Sequence, residues 1–209
     1  MGEMTRSFIP ASIMATKKGG NERTRMEFEI ETTDCPCCGP TSYTVWIEQE
    51  DHTRYNVCNS CGTIYASPHA SHDSRFAWLK DTFALEDSTR RITESRRPAL
   101  ALEANILKSY IPGGNLLDVG CSTGAFFDYF DSSQWQKYGV ELSPSSAAYA
   151  AEHCNADVRA GTLESAHFPP GFFDLITMID MFYYEDNPQV LLREAARVIR
   201  PDGVLAIEL

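Results

Sequence analysis

The chain has little of what several protein classes require. No run of roughly 18 apolar residues occurs, so no membrane-spanning helix is expected. The N-terminus lacks the apolar core of a signal peptide, and Met1-Gly2 is followed by Arg6 where a myristoylation signal needs Ser or Thr. Basic charge is also short: 18 Lys and Arg stand against 29 Asp and Glu, a formal net charge of −11. Such a chain repels phosphate backbones, which disfavours nucleic acid as a partner. The dense basic cluster Arg90, Arg91, Arg96 and Arg97 reads as a solvated helix face. These absences leave a cytoplasmic, reducing location as the expectation, where closely spaced cysteines point to metal before disulfide.

What is present suits a globular protein: 209 residues, 43% apolar and 22% charged. That length allows one full α/β domain with a small appendage, or two small domains. Residues 1 to about 25 show no sustained period and read as a flexible lead-in. Strands are expected around Phe28–Ile30, Thr44–Ile47 and Thr63–Ala66, with Pro68–Ser74 as a linker. Helices are expected over Arg75–Phe83 and about Ser88–Tyr110, Pro98 starting a new helix or kinking the second. Beyond Asn115, strands and helices alternate. The strands are Leu116–Val119, Tyr138–Leu142, Ala156–Ala160, Phe172–Ile179 and Val204–Leu209; the helices are Gly124–Phe130, Pro144–Glu152 (capped by Ser143) and Pro188–Ile199. This order implies a parallel, doubly wound, Rossmann-like sheet with right-handed crossovers.

Cys35-Pro36-Cys37-Cys38 and Cys58-Asn59-Ser60-Cys61 form two C-x-x-C knuckles separated by 19 residues. Each knuckle brings two thiolates together, and two knuckles complete a tetrahedral zinc site through Cys35, Cys38, Cys58 and Cys61. Four thiolates leave no open position, so such a zinc is structural. Cys37 is left over as a non-ligand.

Asp118-Val119-Gly120-Cys121-Ser122-Thr123-Gly124 runs from a strand into a tight loop and then a helix. Small residues there admit a ligand close to the backbone. The loop does not fit the nicotinamide fingerprint G-x-G-x-x-G, because Ser122 holds the middle position. Glu141, 21 residues beyond Gly120, ends the next strand and suits the two hydroxyls of a ribose. Asp118 suits a ligand with a cationic end. Cys121 reads as a small buried filler, Asp174 as a structural residue and His167 as a surface loop residue.

These segments, with Phe173-Asp174-Leu175-Ile176-Thr177 and Leu192–Gly203, resemble the class I S-adenosylmethionine-dependent methyltransferases over Asn115–Leu209. The resemblance implies that Gly120, Ser122 and Gly124 line the methionine and ribose and that Glu141 holds the ribose. It places Thr162 and Leu163 near adenine and Met178 near the methyl donor. Thr162 departs from the Asp common at that position. After the fourth strand many relatives carry a Glu-His pair; here Tyr183-Tyr184 stands instead, leaving Asp180, Tyr183, Tyr184 and Glu185 as candidates to accept a substrate proton.

The expected organisation is a lead-in over 1–25, a zinc ribbon over 26–68, a helical linker over 69–113 and a methyltransferase domain over 114–209. A ribbon before such a domain resembles enzymes acting on sugars, polysaccharide precursors or other small metabolites, and also enzymes that methylate ribosomal RNA. The segment Tyr55–Pro68 and the acidic balance favour the first group. A non-catalytic binding or scaffold protein is the third reading. The family sheet usually has seven strands and this sequence reaches five, so a fragment, or self-association through an open edge at Val204–Ile207, is expected.

Overall fold

A computed structural model describes residues 29–49, 53–71, 73–74, 86–185 and 187–208, with side chains from residue 94 onward in the first long helix. The expected lead-in, the whole of the expected Arg75–Phe83 helix, and the side chains of Arg90 and Arg91 lie outside the described residues. The chain divides into two compact units, Met1–Trp78 and Leu79–Leu209.

In the first unit β1 (Ile30–Glu31) pairs antiparallel with β5 (His69–Ala70), Ile30 opposite Ala70. Residues expected to begin a linker therefore close a small ladder instead. A second, antiparallel sheet holds β2 (Tyr43–Glu48), β3 (Arg54–Cys58) and β4 (Ile64–Ala66) in that order. The sequence reading missed β3, because a polar residue, Asn56, takes the inward position of the strand. Asn56 is buried there and its amide donates to the Ser67 carbonyl at 2.8 Å. Among the described residues the buried apolar cluster of this unit is Cys35, Cys58 and Tyr65.

The second unit opens with α1 (Glu86–Tyr110), which continues through Pro98 as one helix. This segment is no linker: Leu100, Ala104 and Leu107 pack against Leu116, Phe126, Phe127, Trp135 and Leu175. Five parallel strands follow, β6 (Gly114–Val119), β7 (Trp135–Glu141), β8 (Asp157–Ala160), β9 (Phe173–Ile179) and β10 (Ile199–Glu208), in the order β10-β9-β6-β7-β8. The chain winds outward from β6 to β8 and then returns to the other side of β6. The switch point thus falls between β6 and β9, where a doubly wound sheet opens its ligand crevice at the carboxyl ends.

α2 (Pro144–His153) begins at Ser143, whose hydroxyl accepts the Ser146 N–H, as the Ser-Pro pattern predicted. α3 (Pro188–Val198) buries Leu191, Ala195 and Val198 against Leu117, Val119, Ile176 and Met178 on the second face of the sheet. One expected helix is corrected. Gly124–Phe130 forms only a single 3-10 turn, Ala125–Tyr129, after which Phe130 is extended. Phe126, Phe127 and Phe130 are all buried, and Asp131 turns the chain by accepting the Ser133 N–H. So short a turn cannot bring three aromatic rings to the core and stay regular.

Asp174 is structural, as expected: its carboxylate accepts the Asn115 N–H and the Arg200 guanidinium, both at 2.7 Å. β10 is an edge strand among the described residues, with Leu205 and Ile207 exposed. Among the described residues no helix is long and apolar enough to cross a membrane.

Candidate active site and cysteine cluster

The carboxyl ends of β6, β7 and β9 bring the glycine loop, Glu141 and Asp180 to one end of the sheet. Gly120 has φ +76°, and its N–H donates to the Val140 carbonyl at 2.8 Å, so the loop folds back over β7. A Cβ on Gly120 would lie 3.0 Å from the Met181 Cβ, so the bare backbone is what lets Met181 close over the loop. Gly124, also left-handed at φ +80°, answers to packing: a Cβ there would meet the Cys154 sulfur at 2.6 Å and Ala150 at 3.1 Å.

Glu141 is buried at the end of β7. One carboxylate oxygen accepts the Ser122 N–H at 2.9 Å and the other the Ser143 N–H at 2.8 Å. Burial pushes its carboxyl above the ordinary value, and the N–H groups of Ser143, Ser122 and Leu142 pull it back. A carboxylate offers about four lone-pair sites, so two remain for hydroxyl donors. Ser122 takes φ +52°, and its buried hydroxyl oxygen has no hydrogen-bond partner. A buried orphan hydroxyl beside an oriented carboxylate fits a polar ligand in this cleft.

Asp118 is buried at the end of β6, and the Thr177 hydroxyl donates to it at 2.7 Å. Burial pushes its carboxyl up to about 7, the Thr177 bond lowers it, and the Glu141 charge adds to the rise. Cys121 is buried and its thiol is raised well above the ordinary range, first by burial, which makes it a filler. Thr162 and Ser165 bond reciprocally around the next short turn: Thr162 N–H donates to the Ser165 hydroxyl at 2.9 Å and Ser165 N–H to the Thr162 hydroxyl at 3.3 Å. The side chains of Leu163 and Met178 are buried in the core that packs against α3. Only their backbone atoms are left to face a ligand.

Asp180 follows β9 in the left-handed region, φ +53°, and its carboxylate is ion-paired to Arg96 of α1. Arg96 also donates to Glu208 at 2.7 Å and to Glu103 at 3.4 Å. Sequence reasoning assigned Arg96 to a solvated face; only the fold shows three carboxylates around it. Tyr183 and Tyr184 sit on a single 3-10 turn with ring centroids 4.4 Å apart. Partial burial and the hydrogen bond with Tyr184 raise the Tyr183 phenol above its ordinary value, which makes it a poor base near neutral pH. Met181 was also missed, since nothing in its local sequence marks it. His167 is exposed, as its loop position suggested.

In the first unit the sulfurs of Cys35, Cys38, Cys58 and Cys61 all lie within 4.8 Å of one another, and Cys35 and Cys61 are 3.7 Å apart. A tetrahedron of thiolates with bonds of about 2.3 Å has edges of about 3.8 Å, so the four residues can hold a zinc-sized ion. Both knuckles close by the same device. Gly39 N–H donates to the Cys35 carbonyl at 2.8 Å and Gly62 N–H to the Cys58 carbonyl at 2.9 Å, with both glycines left-handed. The Thr41 hydroxyl holds the Cys58 thiol down to about 6, while the hydrogen bond with Cys61 pushes Cys38 up to about 12. Cys37 is exposed and stands outside the four.

Comparison with known proteins agrees with this geometry. The family described as a methyltransferase domain matches residues 117–207. A ubiquinone biosynthesis O-methyltransferase of Xanthomonas campestris is 25% identical over 143 residues, covering 66% of this chain and 59% of that protein. A 27-O-demethylrifamycin SV methyltransferase of Amycolatopsis mediterranei is 27% identical over 139 residues, covering 62% of this chain and 48% of that protein. The chain thus spans about 59% of the length of the first of these relatives. Among solved structures, a SAM-dependent methyltransferase of Thermotoga maritima, described as a possible histamine N-methyltransferase, superposes with a TM-score of 0.52 at 25% identity, over 64% of this chain and 60% of that one. Residues 117–207 thus match a methyltransferase-domain family, and the Rossmann-like sheet of the second unit is similar to that of the S-adenosylmethionine-dependent methyltransferase of Thermotoga maritima.

Proposed function

We propose that the second unit binds S-adenosylmethionine at the β6–β9 switch point and directs methyl transfer to a hydroxyl oxygen of a small-molecule acceptor in the cytoplasm. The observation that carries the reading is the Glu141 carboxylate, held by the Ser122 and Ser143 N–H groups beside the orphan Ser122 hydroxyl. Glu141 would take the ribose hydroxyls, and Gly120 and Ser122 would line the methionine arm. Asp118 would face its ammonium end, and the loop after Gly161 would lie along the adenine. When bound, the cofactor supplies an electrophilic methyl on a sulfonium, open to in-line attack by the acceptor oxygen.

The chain's part is then positioning and exclusion of water. Asp180 is engaged by Arg96 and the Tyr183 phenol is raised, so neither is a ready base, and the proton of the acceptor hydroxyl would pass to solvent water, most easily from an acidic hydroxyl. The O-methyltransferase relatives support oxygen as the methylated atom. The ribbon preceding the domain favours a sugar or polysaccharide precursor within the small-molecule class. We assign the four-cysteine cluster a structural zinc ion, supported by sulfurs within 4.8 Å of one another.

Calorimetry with S-adenosylmethionine tests the reading. One equivalent should bind, and Glu141→Ala should weaken binding by one to two decades, about 1.5–3 kcal/mol. An unchanged affinity in that variant, or tight binding of NAD instead, overturns it. A labelled methyl donor offered with sugars, phenols and an RNA transcript then sorts the acceptors. Label on the RNA would favour the ribosomal RNA reading, and no label on any acceptor would favour the non-catalytic one.

A further inference from the structure

We propose that Arg96 is a positioning residue of the cofactor cleft: it holds the Asp180 backbone in its left-handed conformation and so keeps Met181 seated against Gly120. The binding part of this proposal rests on the S-adenosylmethionine reading above; the conformational part does not.

Four observations meet at this point. Asp180 has φ +53°, a region that costs residues other than glycine some backbone energy, Asp less than most, so that a side-chain anchor can decide its occupancy. Its carboxylate is gripped by Arg96, whose side chain is 27% exposed and belongs to a helix that packs on the sheet. The same guanidinium donates to Glu208, and Glu208 stands opposite Ile179 in the β9–β10 register. Arg96 therefore ties the carboxyl ends of two adjacent strands to α1, one residue before the chain turns into the cleft. The next residue, Met181, has its Cβ 3.0 Å from where a Gly120 side chain would begin, and its carbonyl accepts the Tyr184 N–H at 3.0 Å. One backbone torsion thus sets both the residue over the glycine loop and the turn that carries Tyr183 and Tyr184.

Charge makes the latch one-sided. Glu103, Asp180 and Glu208 surround a single guanidinium, and burial followed by the Glu208 charge raises the Glu103 carboxyl. Without Arg96 the three carboxylates repel one another, and Asp180 is free to return to the ordinary extended or helical regions. Met181 then loses its seat. A guanidinium engaged on three protein carboxylates is not a ready ligand-binding group, which separates this role from direct acceptor recognition.

The test is hydrogen exchange over residues 181–185, paired with calorimetry using S-adenosylmethionine. It compares the wild type with Arg96→Met, Arg96→Lys, Asp180→Gly and the Arg96→Met/Asp180→Gly double variant. Arg96→Met should raise deuterium uptake over 181–185 several-fold and weaken cofactor binding about tenfold, with amides of β6 unchanged. Arg96→Lys should lie between it and the wild type. Glycine reaches positive φ without help, so Asp180→Gly should take up less deuterium than Arg96→Met. In that background Arg96→Met should add nothing. Unchanged uptake in Arg96→Met overturns the proposal. So does an equal effect of Arg96→Met in both backgrounds, which would place Arg96 on the ligand or on general stability. If Arg96→Met does not fold, Arg96→Lys and Asp180→Gly carry the same comparison. If the wild type binds no S-adenosylmethionine, the cofactor reading fails while the exchange result still decides the role of Arg96.

Discussion

The two units of this chain are held together by different physics. The α/β unit buries apolar side chains on both faces of its sheet, with Leu117, Ile176 and Met178 toward α3 and Leu116, Phe127 and Trp135 toward α1. Among the described residues of the first unit the buried cluster is Cys35, Cys58 and Tyr65, and two of those three are proposed metal ligands. All six residues of its strand β2 are exposed, Trp46 and Ile47 among them. A small module with so slight an apolar cluster buries too little surface to fold on apolar burial alone. The contrast teaches that the knuckles stand where a hydrophobic core would otherwise be.

The sharpest way to break this comparison is to take the metal away. Chelation, or Cys58→Ser with Cys61→Ser, should unfold the first unit and leave the second intact, because structural zinc contributes on the order of 10–16 kcal/mol to folding of such modules. Elemental analysis should find one zinc per chain before treatment. Amide exchange resolved by region should show loss of protection over 30–70 and none over 114–179. Protection that survives complete chelation would mean that the first unit is held by something else.

A smaller effect separates the units by pH. The Asp118 carboxyl, raised to about 7 by burial, binds its proton more tightly in the folded state than in the unfolded one. Its contribution to stability is therefore fullest near pH 4 and declines as pH climbs to about 7. A ligand with a cationic end favours the ionised form, so S-adenosylmethionine should bind up to about tenfold more tightly at pH 8 than at pH 6. Asp118→Asn should flatten that rise. The groups that act on Asp118 here are Thr177, Glu141 and Cys121, and the Cys121 thiol is raised far from this window. A slope that persists in Asp118→Asn would assign the titration to Glu141.

The smallest effect concerns the sheet edge. Leu205 and Ile207 on β10 should make this chain weakly self-associating, visible in sedimentation only at high concentration. Ile207→Lys should abolish it while leaving cofactor affinity unchanged. A monomer at every concentration would remove the edge as an association site.

Much of the α/β unit was legible because its signals are local. A strand, a small-residue loop and a carboxylate 21 residues on are readable at Gly120 and Glu141 without knowing what packs where. The knuckles at Cys35 and Cys58 are readable for the same reason. What could not be read depends on distant partners. Strand β3 hid behind an inward Asn56 that needs the Ser67 carbonyl. The turn after Gly124 was shortened by where Phe126, Phe127 and Phe130 had to go. That the missing side chain of Gly124 also makes room for Cys154 and Ala150 of the neighbouring α2 region is likewise set by distant partners.

The sequence by itself determined the parallel alternating order, the glycine loop, the carboxylate that ends the next strand and the four-cysteine spacing, because each lies in residue type and short-range separation. Only the tertiary structure decided that Arg96 meets Asp180 and Glu208, 84 and 112 residues away, and that Met181 lies over Gly120. Those contacts exist because the switch in strand order sets β9 beside β6 and α1 against the same sheet. No pattern along the chain records which ends of which strands become neighbours.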